Sequence, residues 1–200
     1  MADTPDSAPG HFQPDGRPVD EQLADLRVQI DLVDQQLLSL LNQRARLAQA
    51  VGEVKKIDGS PVFRPDREAQ VIDRVKARNP GPVASDSIAP IWREVMSACR
   101  ALESRQRVAF LGPIGTFSEQ ATLNYFGSSI EPLPCPSIDE VCRATISGSA
   151  DFGVLPIENS TEGAVARSLD LLLQSPLTII GETSLLVTHN LLRVTPDRAG

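Results

Sequence analysis

The stretch "LRVQIDLVDQQLLSLLNQRARLAQAVGEVKK" (Leu26–Lys56) decides the fold of the N-terminal half. Starting one turn earlier, Leu23, Leu26, Ile30, Val33, Leu37, Leu40, Arg44, Leu47, Val51 and Val54 alternate spacings of three and four without a slip. This predicts a single helix of roughly 35 residues, about 50 Å long. A compact domain of about 100 residues has a radius of gyration near ~13 Å, so such a helix overhangs its own domain. Its apolar seam calls for a second copy of the chain. The alternative is a bent or broken helix in a monomeric bundle. One position breaks the seam: Arg44 stands where a leucine belongs. A guanidinium in apolar surroundings is costly unless it is paired. Its neighbours one turn away are Leu40, Leu41, Leu47 and Ala48, so no acid of the same helix can pair with it. Either an acid on another helix or a ligand must do so.

Composition narrows the ligand. The 200 residues are 41% hydrophobic, enough for cores in one or two domains. The net charge of -7, without a Lys/Arg cluster, argues against nucleic acid, so cations for an anionic ligand must be placed singly in a pocket. No secretory apolar region or membrane-length apolar run is present, and no membrane partner is expected. Cys99, Cys135 and Cys142 form no CxxC pair, and His11 and His189 lie far apart. Neither a disulfide framework nor a metal site is expected, and a reducing cytoplasm is the default location.

Residues 1–19, dense in Pro, Gly and Asp, read as a disordered tail. After the long helix, "DGSP" (Asp58–Pro61) is a stop. A second helix begins near Pro65 and ends before "PGP", and a third starts at a Ser85–Ser87 cap. The third carries Ile88, Ile91, Trp92, Val95, Met96, Cys99 and Leu102 on one face, with Glu103 on the same stripe. This all-α three-helix unit covers 20–104. At "RVAFLG" (Arg107–Gly112) the period changes to that of a strand. Helices are expected near 118–126, at "SIDEVCRATISG" and at "EGAVARSLDLLLQ". Strands are expected near Ile130–Leu133, at "FGVLPI" and at "LTIIGETSLLVT". Alternating strands and helices over 107–200 indicate an open α/β sheet with ligands at the strands' carboxyl ends.

In the helical unit, Lys55 follows Arg44 by 11 residues and projects from nearly the same face. Arg27 precedes Arg44 by roughly 25 Å of helix, so no small molecule is clasped by both from one helix. In an antiparallel dimer, however, Arg27 of one chain could approach Arg44 and Lys55 of the other. Arg67 and Glu68 open the second helix. This is a set of cations with one or two carboxyls and no nucleophile–base pair. It suits a dianion whose reaction needs shape and charge. These residues, with "PVFRPDREAQVIDRV" (Pro61–Val75), resemble the all-helical chorismate mutase family, whose fold is an intertwined homodimer. The resemblance implies the Claisen rearrangement of chorismate to prephenate. Arg44 and the partner chain's Arg27 would bind the two carboxylates, Lys55 would stabilise charge on the breaking ether oxygen, and Glu68 would hold the ring hydroxyl beside Arg67. Glu103 stands where some members carry Gln. It can donate to the ether oxygen only as the neutral acid, which apolar surroundings would favour. Cys99 stands where some members carry Ser and reads as packing, and Arg64 replaces an Asp.

In the α/β unit, "VAFLGPIGTFSEQATLNYFG" (Val108–Gly127) places a glycine turn between strand and helix. In "GVLPIENSTEGAV" (Gly153–Val165), polar residues follow a strand that ends at Pro156. Backbone N–H groups there could hold a carboxylate, with donors from Asn159, Ser160 and Thr161; the plainer reading is an N-capping turn. Together the two segments resemble the first lobe of prephenate dehydratase, a periplasmic-binding-protein-like α/β fold. The resemblance implies that Glu158, Asn159, Ser160 and Thr161 form the motif acting on prephenate, faced by Thr116, Phe117 and Ser118. That family removes CO₂ and water from prephenate to give phenylpyruvate, and a fused pair is similar to the bifunctional P-protein family of phenylalanine biosynthesis. Neither resemblance implies a cofactor or metal. The family's Thr-Arg-Phe motif is absent from these 200 residues. The expectation is therefore an active mutase with an incomplete, feeble dehydratase. The competing reading is a non-catalytic dimeric module that binds a small carboxylate.

Overall fold

A computed structural model of the chain describes residues 16–188. The first helix, α1, spans Val19–Asp58, 40 residues, with acids in its first turn and Lys55 and Lys56 in its last, both complementing the helix dipole. It therefore begins inside the stretch read as a tail; residues 1–15 of that reading lie outside the described residues. The chain divides into two compact units, residues 1–44 and 45–200. Along α1 the seam faces solvent: Leu40 is 60% exposed and Leu47 63%.

Helix α2 (Pro65–Ala77) starts on its proline, whose missing N–H costs nothing in the first turn. It packs on α3 (Ser85–Ala101). The expected serine cap is corrected: Ala84 is the cap residue, and Ser85 already lies in the helix. Of the α3 stripe, Ile88, Met96 and Cys99 are buried, whereas Ile91 and Leu102 are exposed. Glu103 lies past the end of α3, its backbone N–H donating to the Arg100 carbonyl at 2.9 Å.

A parallel sheet follows, in the order β2-β1-β3, from β1 (Arg107–Leu111), β2 (Glu131–Cys135) and β3 (Phe152–Val154). Helices α4 (Phe117–Phe126) and α5 (Ile138–Ile146) connect the strands. The central strand is buried on both faces, as a parallel sheet requires. Ala109, Cys135 and Leu133 face a core with Val141 and Ala144 of α5. Val108 and Phe152 face a second core with Phe126 of α4, into which Phe63 inserts from the segment before α2. The Phe63 ring lies 5.0 Å from Phe126 and 5.4 Å from Phe152.

Two expectations of the α/β region are overturned. "LTIIGETSLLVT" forms no strand over residues 177–188. Its apolar composition gives strand propensity, but a strand also needs an edge to pair with, and none is supplied to it among the described residues. The helix expected from Glu162 begins only at Ala166 (α6, Ala166–Gln174). The residues before it close a hairpin, β4 (Glu158–Asn159) with β5 (Gly163–Ala164), in antiparallel register. Among the described residues, no helix is long and apolar enough to cross a membrane.

Candidate active sites

The helical candidates differ sharply in how their charges are met. Arg44 is half-buried and Arg27 exposed, and neither has an ion-pair partner among the described residues. Arg67 is exposed and equally without one. Lys55 is held where α1 ends, its Nζ donating to the Val62 carbonyl at 3.1 Å; an ammonium has three donors, so two remain. Arg64 pairs with Asp66 at 3.1 Å, and that hydrogen bond draws the Asp66 carboxyl below its usual range.

Glu103 lies against Gly52 of α1, where an added Cβ would stand 2.8 Å from its Oε2. That oxygen is buried and has no hydrogen-bond partner. A buried, unbonded carboxylate oxygen is unfavourable, and a proton or a ligand donor would relieve it.

Glu68 is engaged instead by a residue the spacing arguments did not single out. The half-buried Glu68 accepts through Oε1 from Nη1 of Arg100, which is 5% exposed. Arg100 also donates from Nη2 to the Phe126 carbonyl and lies 4.6 Å over the Phe63 ring. Burial, with a smaller contribution from the Glu68 carboxylate, pushes the nearby Tyr125 phenol up.

In the α/β region, Thr116 caps α4: its Oγ1 accepts from the Glu119 N–H at 3.4 Å and donates to the Leu111 carbonyl at 3.2 Å. Gly115, at φ 86°, makes the turn, and its N–H donates to Glu119 Oε2 at 2.5 Å. Phe117 is exposed and Ser118 half-buried; a shallow depression of about 280 Å³ is lined by Gly115, Thr116, Phe117 and Gln120 among others. Glu158, Asn159, Ser160 and Thr161 are exposed on the β4–β5 hairpin. The Thr161 N–H donates to Asn159 Oδ1 at 2.8 Å, an Asx turn. The motif thus sits at a hairpin tip rather than at a helix N-terminus, so the expected cradle of helix N–H groups is not how these residues are presented. Both segments do leave the carboxyl ends of neighbouring strands, since Phe110 of β1 pairs with Val154 of β3. The chain runs from β1 to β2 on one side and then to β3 on the other, which is a topological switch point.

Two family models match the chain. Residues 26–104 match the family Chorismate mutase type II, and residues 108–199 match Prephenate dehydratase. A protein of Stutzerimonas stutzeri named bifunctional chorismate mutase/prephenate dehydratase is 46% identical over 177 residues, covering 86% of this chain and 48% of its own length. Its namesakes from Neisseria gonorrhoeae and Escherichia coli K12 are 45% and 31% identical, covering 88% and 84% of this chain and 48% of their own lengths. The chain spans about half the length of the curated relatives it matches. Among solved structures, a chorismate mutase (Form II) from Thermus thermophilus is 34% identical, covering 42% of this chain and 97% of that one at a TM-score of 0.41. A prephenate dehydratase from Streptococcus mutans is 36% identical, covering 36% of this chain and 37% of that one at a TM-score of 0.34.

Proposed function

Because the chain belongs to the type II chorismate mutase family over residues 26–104 and to the prephenate dehydratase family over 108–199, we propose that it rearranges chorismate to prephenate and binds prephenate in its α/β region. The functional division runs 20–104 and 107–200, in a homodimer formed along α1, in a reducing cytoplasm that keeps the three buried thiols free. The observation that carries the mutase reading is Arg44, a half-buried guanidinium with no acid to meet it among the described residues. By contrast, the buried Arg100 of the helical region is paired. A cation left unneutralised by protein fits a site completed by a dianion.

The reaction is unimolecular. The ether C–O bond breaks as a C–C bond forms, so the protein needs to hold one conformer and meet the charge that develops on the ether oxygen. Arg44 and the partner chain's Arg27 clamp the two carboxylates. Lys55, steadied by the Val62 carbonyl, turns its remaining donors to the ether oxygen, and Glu103, whose Oε2 is buried without a partner, lines the same site. Glu68 accepts from the ring hydroxyl through its second oxygen, with Arg67 on the same wall.

In the α/β region, Glu158, Asn159, Ser160 and Thr161 handle prephenate across the switch point from Thr116, Phe117 and Ser118. Loss of CO₂ and water there gives phenylpyruvate. With no Thr-Arg-Phe in the 200 residues, this chain assayed alone should form phenylpyruvate far more slowly than prephenate. The test is to follow the loss of chorismate absorbance and to assay phenylpyruvate separately. Chorismate left unconsumed refutes the mutase, and phenylpyruvate formed as fast as prephenate refutes the weak dehydratase. A non-catalytic carboxylate-binding module explains the dimer but gives Arg44 no purpose.

A further inference from the structure

Arg100 has no part in either proposed reaction, yet it is the most completely engaged cation near the candidate mutase site. We propose that Arg100 is a positioning residue for that site: it fixes the Glu68 carboxylate and makes its placement depend on how α4 of the α/β region is seated. This deepens the mutase reading and rests on it.

Three elements converge on one guanidinium. Nη1 meets Glu68 of α2, Nη2 meets the carbonyl of Phe126, the last residue of α4, and the plane lies over Phe63. The planar fork of Arg makes the two bonds from two separate nitrogens while its face lies on the ring; Lys has three donors but on one nitrogen, and cannot hold that spacing. The Phe126 carbonyl is one of the acceptors a helix leaves unsatisfied at its C-terminus, where the dipole also favours a cation. Arg100 takes only Oε1 of Glu68, and the side chain remains 19% exposed, so Oε2 stays open to accept from a substrate hydroxyl.

The seat of α4 is itself tight. Gly127 follows at φ 79°, and an added Cβ there would overlap the Ser97 side chain of α3. Nearby, the Ser129 N–H donates to Ser97 Oγ and the Ser128 N–H to Glu94, each at 3.1 Å. Displacement of the α4 terminus therefore moves the Phe126 carbonyl, and with it the group that orients Glu68. The same helix begins with Phe117 beside its Thr116 cap, at the α/β candidate site.

The test uses the full chain with chorismate and four variants: Arg100→Met, Arg100→Lys, Glu68→Gln and the double Arg100→Met/Glu68→Gln. Arg100→Met should lower kcat/KM about tenfold, chiefly by raising KM, because Glu68 is retained but no longer aimed. Arg100→Lys should recover part of this. In the Glu68→Gln background, Arg100→Met should cost nothing further, because both changes act through one carboxylate. A lower Tm with unchanged kcat and KM, or losses that multiply in the double variant, overturns the positioning role. Should Arg100→Met fail to fold, Arg100→Lys keeps the buried charge, and a wild-type KM there overturns the role equally. Wild-type chain that folds but leaves chorismate unchanged sinks the mutase reading as well. Active wild type with kinetically normal Arg100 variants sinks only this proposal.

Discussion

The long helix and the α/β region solve the problem of apolar residues in opposite ways. In β1, Val108, Ala109 and Phe110 are fully buried by α4, α5 and the flanking strands of the same chain. Along α1, leucines and valines at helical spacing stay more than half exposed over much of the helix. Contiguous apolar surface on that scale marks an interface. Cations divide likewise: Arg100, which joins α2, α3 and α4, donates from both Nη atoms and lies over the Phe63 ring, while Arg27 and Arg44 on α1 have no ionic partner among the described residues. The core around β1 is packed by its own chain, and α1 reads as half of something.

The sharpest way to break this contrast is to charge the α1 seam. Leu40→Asp with Leu47→Asp should remove about 5 kcal/mol of association free energy and leave monomers in sedimentation, with stability that no longer depends on concentration. If the pair sediments as wild type, the seam is not an interface. Next in size is Phe63→Ala, which empties an aromatic cluster and should cost about 4 kcal/mol in denaturant unfolding, independently of concentration. A loss below about 1 kcal/mol would show that Phe63 does not belong to that core.

Third, Arg44→Leu should lower mutase kcat/KM by about 100-fold or more while keeping or tightening the dimer, since a well-packed leucine often outdoes a buried charge. A plain dimerisation helix would gain stability and lose no activity. Fourth, Glu103→Ala should lower mutase kcat/KM about tenfold, because the proposed reaction places that side chain, with its buried and unpartnered Oε2, beside the ether oxygen. Kinetics that the substitution leaves unaltered would remove Glu103 from the reaction. The smallest effect belongs to the exposed Asp139–Arg167 pair joining α5 and α6, whose hydrogen bond holds the Asp139 carboxyl below its ordinary 3.8. A depressed carboxyl stabilises the fold above the unfolded value and loses that contribution as pH falls through the folded one. Asp139→Asn should therefore soften the acid limb of stability slightly and leave neutral-pH activity unchanged.

What spacing revealed, and what it did not, follows the same line between local and non-local causes. The run from Leu23 to Val54 specifies α1 because helical periodicity is a local property. β1 is legible because its apolar run ends at Gly112, whereas β2, with Pro132 and Pro134 inside it, owes its pairing to the neighbouring β1. Residues 177–188 carry equal strand propensity without a ladder, since pairing depends on an edge that composition does not encode. The hairpin at Glu158–Ala164 replaces an expected helix start for a related reason: cross-strand bonds there win over a first helical turn. Arg100 carried a readable signal, because it continues the line of Ile88, Trp92 and Met96 at steps of four, the irregularity that also flags Arg44. Its partners, Glu68 and the Phe126 carbonyl, are separated from it by 32 and 26 residues and arise only from packing.

The central claim, that cations of two chains complete one anion site, is tested most directly by mixing two inactive proteins. Arg27→Ala and Arg44→Ala chains, unfolded together and refolded, should recover about a quarter of wild-type chorismate turnover, because half the dimers are mixed and each mixed dimer holds one intact site. Mixed dimers that form but remain inactive would contradict the shared site.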